Sequence, residues 1–319
     1  TTNYFYDRLN RVTKRTYTGE SGYQTPQVEY FYDGKGLASN GTFTKGKLTK
    51  VTSAISSTEY TNFDGLGRLS THQQTTDGNT YATSYVYNLS GAVLEETYPS
   101  GRVVKNTLDT DGSLQQVQSK KANDTFKNYA NSFNYTAAGA VSSLRLGNGR
   151  WENTQFNNRL QPTQIGLGSS ANNQSLLKLN YDYGSTDNNG NIKSQTITVP
   201  TIGASQGFTA VQTYIYDSLN RLKSATENIN GNQPPNWKQT FSFDRYGNRR
   251  FDTVNTSTLD PNCPTAVCNP EISTTNNRLI GTSYDNGGNT TTDANGRTFT
   301  YDGENKQTKV QNGATVIGE

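Results

Sequence analysis

The chain has 319 residues, and its 29 basic and 26 acidic side chains leave a net charge of +3 spread evenly along it, so no basic stripe points to a nucleic acid. No apolar run is long enough for a membrane-spanning helix, and no secretion signal stands at the start. Hydrophobic residues make up only 30%, but aromatic ones make up 11%, with 20 Tyr, 12 Phe, 30 Gly and no Met. That composition excludes a helical bundle and suits a thin β-sheet or hollow shell, in which Tyr supplies apolar area and keeps a hydroxyl for a partner.

The first predicted element is a hairpin at Tyr4-Phe5-Tyr6-Asp7-Arg8-Leu9-Asn10-Arg11-Val12. Tyr4 and Tyr6, two apart, share one face of a strand. Asp7 ends it with a short side chain that accepts backbone hydrogen bonds, Asn10 tolerates a positive φ, and Val12 opens the return strand. Arg11 is left to reach the surface or to pair with a neighbouring Asp. The phrase returns at Tyr30-Phe31-Tyr32-Asp33-Gly34, where an insertion delays the closing Gly46-Lys47-Leu48, and at Phe63-Asp64-Gly65-Leu66-Gly67-Arg68-Leu69. Tyr85-Val86-Tyr87-Asn88, Leu108-Asp109-Thr110-Asp111-Gly112 and Phe133-Asn134-Tyr135-Thr136 continue it, and Phe156-Asn157-Asn158-Arg159-Leu160 reads as a contracted form. Later copies are Tyr181-Asp182-Tyr183-Gly184, Tyr214-Ile215-Tyr216-Asp217, Phe241-Ser242-Phe243-Asp244, Tyr284-Asp285 and Phe299-Thr300-Tyr301-Asp302. Their spacing is mostly 21 to 33 residues, the signature of a stacked-repeat architecture. Stretches 34–58, 167–178, 198–210 and 252–275, rich in Gly, Ser, Asn, Thr or Pro, are expected to be loops.

The repeats run from residue 4 to residue 305 without a dividing linker, so residues 1–319 are expected to be a single continuous array. A complete repeat begins almost at Thr1 and Glu319 follows one without a terminal cap, as expected of a segment of a longer chain. Cys263 and Cys268, in Cys-Pro-Thr-Ala-Val-Cys, are candidates for a local disulfide, and two free thiols are the alternative. His72, the only histidine, lies on a predicted return strand and is expected to be an ordinary strand residue. Asp109-Thr110-Asp111-Gly112 resembles the opening of a calcium loop, but Lys120 stands where that loop needs its bidentate Glu. Asp187-Asn188-Asn189-Gly190-Asn191 fits an elongated turn as well as a cation site. Asp260-Pro261 reads as a turn. Trp151 and Trp237 are expected to pack within the sheet, with a sugar-stacking surface as the alternative. No set of residues converges on a reaction, so no catalytic, cofactor or metal residues are expected.

The phrase Tyr-Asp-x-x-Gly/Asn-Arg-Leu, at 6–12, 63–69 and 216–222, resembles the YD repeat of bacterial Rhs proteins and of the related teneurins and insecticidal toxin-complex subunits. The resemblance implies an all-β fold of tandem hairpins that form a spiralling sheet or hollow shell, of which this chain would be part. In Rhs and toxin-complex members such a shell encloses a toxic C-terminal domain, and in teneurins it belongs to an adhesion molecule. Family shells that release a toxin end in an aspartate-containing cleavage region and a variable effector, neither of which follows Tyr301. The expected function is a non-catalytic shell of an exported protein, secreted or at the cell surface, with an enclosed effector or another protein as its partner. The alternative is an extracellular scaffold that self-associates through its sheet edges or binds carbohydrate.

Overall fold

The computed structural model describes residues 1–18 and 23–319. It divides into two compact units whose sequences interleave: Thr1–Thr107, Gln118–Phe126 and Gly281–Glu319 form unit 1, and Leu108–Val117 with Lys127–Ile280 forms unit 2. Unit 1 begins with a meander of β1 (Thr2–Tyr6), β2 (Val12–Tyr17), β3 (Val28–Tyr32), β4 (Leu48–Thr52), β5 (Ser56–Phe63), β6 (Leu69–Thr76), β7 (Asn79–Tyr87), β8 (Val93–Thr97) and β9 (Val103–Leu108), and residues of both units make up β10 (Leu114–Lys120). Unit 2 continues with β11 (Lys127–Tyr135), β12 (Val141–Leu146), β13 (Trp151–Phe156), β14 (Pro162–Gly168), β15 (Leu177–Asp182), β16 (Ser194–Val199), β17 (Phe208–Tyr216), β18 (Leu222–Ile229), β19 (Trp237–Phe243), β20 (Arg249–Phe251) and a four-residue helix α1 (Thr265–Cys268). Unit 1 is completed by a separate antiparallel sheet of β21 (Ser283–Tyr284), β22 (Thr290–Thr292), β23 (Arg297–Tyr301), β24 (Gln307–Asn312) and β25 (Thr315–Gly318). Within β1–β9 and within β11–β20 each strand pairs antiparallel with the next, so the molecule is the all-β hairpin array that the repeats imply.

The phrase folds by local bonding. In the first turn Asp7 Oδ1 accepts the N–H groups of Leu9 and Arg11 at 2.9 Å each, while the Asn10 N–H reaches the Asp7 carbonyl at 3.0 Å. Asn10 has φ of 59°, and Gly67 and Asn220 hold the same slot at 76° and 61°. A one-residue bulge follows: Phe5 faces Lys14 but Tyr6 faces Val12, which leaves Thr13 as the extra residue, and its hydroxyl donates to the Phe5 carbonyl. Thr49, Thr163 and Thr308 repeat this bond onto Phe31, Gln155 and Thr300, so the bulge is part of the repeat.

In several copies the second aromatic of the phrase is a tyrosine that joins its repeat to the one before. The hydroxyls of Tyr32, Tyr87, Tyr135, Tyr183 and Tyr216 donate to the carbonyls of Val12, Leu69, Leu114, Pro162 and Ile192, at 2.6–3.1 Å. Each acceptor lies 18–24 residues back, at or beside the start of the preceding return strand. A bond of this kind is worth about 1 kcal/mol net, and it recurs along the array. Few side chains are fully enclosed. Among the described residues the buried apolar ones are Tyr183, Ala210, Ala225 and Phe241, as a sheet with little depth requires.

Two local expectations need correction. The stretch 34–58 is not one loop: Gly46 closes the turn by donating its N–H to Asp33 Oδ1 at 2.7 Å, and β4 starts at Leu48. The insertion lengthens the turn without displacing the return strand. The expected loops 167–178 and 198–210 likewise shorten to 169–176 and 200–207. The phrase at Phe156 is not contracted either, because Asn157 Oδ1 accepts the N–H of Arg159 and of Gln161 as Asp7 does in its own turn. The residue with positive φ is Leu160, at 59°, a conformation that costs a residue with a Cβ about 1 kcal/mol. Leu160 is 53% exposed, so its side chain contributes little packing. Leu160→Gly is therefore expected to raise the urea midpoint of unit 2 by about 1 kcal/mol of stability, and a lowered midpoint would show that the leucine is not strained.

Candidate functional site

The chemistry-bearing residues gather at the hairpin turns and on the tyrosine-bearing face beside them. Arg11 illustrates their coupling. Its Nε donates to Asp7 Oδ2 at 2.8 Å, its Nη2 meets Asp33 of the next repeat at 3.0 Å, and its guanidinium lies 4.3 Å from the Tyr32 ring centroid. Arg68 is held in the same way by Asp64 at 2.6 Å and by the Asn88 carbonyl at 2.7 Å, over the ring of Tyr87. Arg221 pairs with Asp217 and stacks on Phe243. The sequence leaves Arg11 a choice between solvent and a partner, and the structure places it between two carboxylates.

These bonds hold the turn carboxyls below the usual range. The backbone N–H of Arg11 is the largest cause for Asp7, those of Arg68 and Arg221 for Asp64 and Asp217, and the Arg11 side chain for Asp33. With folded pKa values depressed, the turns contribute stability that is fully present above the unfolded carboxylate pKa of about 4 and is lost as pH falls through the folded values. The unfolding midpoint is thus expected to be flat from about pH 8 to about pH 5 and to fall below about pH 4. A fall already between about pH 8 and about pH 6 would contradict this assignment, because carboxylates do not titrate there.

Several residues singled out from sequence have structural surroundings. His72 lies on β6 between Tyr60 and Tyr85, with ring centroids at 6.4 and 6.0 Å, and its Nδ1 is enclosed without a hydrogen-bond partner among the described residues. Asp109 Oδ1 accepts the N–H of Asp111 and of Ser113, which is the ordinary turn pattern of the repeat. Asp187 is gripped by Lys193 Nζ at 2.6 and 2.5 Å, while Asn189 and Asn191 both donate to Asn220 Oδ1 in the following turn. Asp260 Oδ1 accepts the Asn262 N–H at 2.8 Å in a turn. Trp151 and Trp237 are half-buried on β13 and β19, opposite Gly168 and Glu227. Cys263 and Cys268 are bonded to each other, with Cα atoms 6.1 Å apart at the two ends of a loop that holds α1.

Three features escape a reading of sequence alone. A polar row crosses β16–β18 on the tyrosine side: Tyr214 donates to Gln212 at 2.6 Å and Gln212 donates to Glu227 at 2.7 Å. Apolar side chains line a groove of about 610 Å³ beside the third turn, formed by Leu66, Tyr85, Val86, Tyr87 and Leu89 around Arg68. Glu304, which the turn pattern assigns to solvent, is enclosed between Tyr17, Arg15 and Lys306. The row and the groove depend on which strands are neighbours, and no local motif encodes that. The signal for Glu304 is a carboxylate in a turn slot that holds Leu in several other copies.

The sequence matches no protein-family model and no curated protein. Solved structures are similar in fold. The crystal structure of TcdB2-TccC3-Cdc42 matches with a TM-score of 0.64 and 14% identity, over 99% of this chain and 17% of that one. The Photorhabdus luminescens Tc holotoxin pore matches with a TM-score of 0.58 and 14% identity, over 99% and 18%. The crystal structure of TcdB2-TccC3 matches with a TM-score of 0.54 and 15% identity, over 99% and 19%. The chain spans less than a fifth of the length of these structures.

Proposed function

We propose that residues 1–319 are one continuous stretch of wall in an Rhs-type β-shell that encloses another polypeptide, and that the wall contributes no catalysis. The observation that carries this reading is the lock between repeats, in which the hydroxyls of Tyr32, Tyr87, Tyr135, Tyr183 and Tyr216 each tie a hairpin to the one before it. A sheet built in this way extends by adding hairpins and needs no second layer. The likeness in fold to TcdB2-TccC3, one form of which was solved without its hypervariable C-terminal region, supports an enclosed or delivered segment as the partner. The absence of catalysis is supported by the use of the turn carboxylates, which are taken up by backbone N–H groups and arginines.

Limited proteolysis of the complete gene product tests enclosure. A segment outside the β-hairpins that resists protease in the intact protein, and is cut once the wall is opened by acid or denaturant, supports the reading. Equal susceptibility before and after opening overturns it.

The proposed location is outside the cytoplasm, where the Cys263–Cys268 disulfide forms and persists. In protein recovered from its native location, both thiols are expected to resist alkylation until a reductant is added, a mass shift that intact-mass spectrometry reads. Immediate labelling of both would remove this support for export.

A further inference from the structure

The turn between β23 and β24 departs from its counterparts. Two positions beyond the turn's Asp or Asn, the side chains of Leu9, Leu66, Ser90, Asp111, Leu219 and Tyr246 are all exposed. Glu304 occupies that slot after Asp302 and is only 19% exposed. Its Oε1 accepts the Tyr17 hydroxyl and lies 2.5 Å from Arg15 Nη2, and its Oε2 lies 2.9 Å from Lys306 Nζ. Beside it the Gly303 N–H donates to Thr25 Oγ1 at 2.7 Å. The strands on either side of this turn belong to the separate sheet β21–β25, so these bonds fasten that sheet to β2 and to the segment before β3.

Among the described residues the charges at this fastening centre on the Glu304 carboxylate. Arg15 is 23% exposed, and among the described residues its Nε is enclosed with no partner and Glu304 is the acid it pairs with. The other titratable groups that act on the pair are Tyr4 from β1, Tyr17 from β2, Tyr30 from β3, and Lys306 with Asp302 from the turn itself. Burial raises the Glu304 carboxyl, but the bonds from Tyr17 and Lys306 and the charge of Arg15 outweigh it and hold the group ionised below the usual range. Without that charge Arg15 would keep a largely enclosed guanidinium with no acidic partner among the described residues, which is costly. A cleft of about 270 Å³ lies beneath the turn, lined by Arg15, Tyr17, Thr25 and Ile55.

We infer that Glu304 is a latch: seated between Arg15 and Tyr17, it holds the β23–β24 turn down on the tyrosine-bearing face of β2, and loss of its charge lets the five-stranded sheet lift away. The inference stands whether or not the array encloses a polypeptide. Lifting uncovers Tyr17, Arg15 and the cleft between them and the turn. Hydrogen–deuterium exchange on the whole chain reads the event directly. Glu304→Gln is expected to speed exchange of the 298–312 segment about tenfold, with β5–β8 and β11–β18 unchanged. A Thr25→Cys/Gly303→Cys disulfide added to Glu304→Gln is expected to restore the slow rate. Wild-type exchange in Glu304→Gln would overturn the latch. So would loss of protection that spreads through β5–β8, which would make Glu304 a support of the whole meander, or a failure of the oxidised disulfide to restore the rate.

Discussion

Tyr183→Ala is expected to destabilise unit 2 by about 3–5 kcal/mol, and Tyr183→Phe by about 1 kcal/mol. Tyr183 is 8% exposed and lies just beyond β15, where its ring is enclosed and its hydroxyl donates to the Pro162 carbonyl at 3.1 Å. Truncation removes the ring and opens a cavity that the surrounding turns have little freedom to fill. Phenylalanine keeps the ring and loses only the bond to the preceding repeat, so the difference between the two variants separates packing from the lock. Since repeats in an array contact mainly their neighbours, the loss should register first as opening of β14–β17, with β1–β9 keeping their protection. Urea titration followed by hydrogen exchange checks both parts. Equal losses in the two variants would mean that the hydroxyl carries the whole effect and that the ring packs against little.

Phe241→Ala should have a comparable effect, about 3–5 kcal/mol, near the chain end of the β11–β20 meander. Phe241 is 5% exposed on β19, faces Phe251 of β20 at a centroid distance of 5.2 Å, and carries the Arg249 guanidinium 4.7 Å from its ring. The short strand β20 has three residues, so its pairing with β19 relies on these rings more than on its ladder. Loss of protection is expected at 249–251 and in β19, and Phe241→Leu should cost less than about 1.5 kcal/mol because it keeps most of the volume. A double-mutant cycle with Phe251→Ala should show a coupling of about 0.5–1.5 kcal/mol, the range for aromatic pairs. Additive losses would place the two rings in separate environments.

The legible part of this fold is the part written in neighbouring residues. The Asp7 turn is specified by contacts two and four residues away, and so the Tyr-x-Tyr-Asp phrase locates its hairpins on sight. The repeat slot puts Asp109 in a turn and the Asp260-Pro261 step reads as another, and the structure has turns at both. A slot filled by an unexpected residue is harder to read. Leu160 masks a complete turn because leucine rarely accepts positive φ, and the insertion after Asp33 masks the start of β4. The tyrosine locks span 18–24 residues and the Glu304 contact with Tyr17 spans 287, distances over which a single sequence carries no register. Arg11 shows the middle case, since its bond to Asp7 is local but its bond to Asp33 crosses to the next repeat.

The proposed role of the hairpin array as a wall around another polypeptide can be seen directly. The decisive measurement is electron cryo-microscopy of the complete gene product that contains these residues. The expected result is a closed β-wall, with residues 1–319 traced in it as successive hairpins, surrounding density for polypeptide that is not part of the wall. An open sheet or a filament with no enclosed density would contradict it.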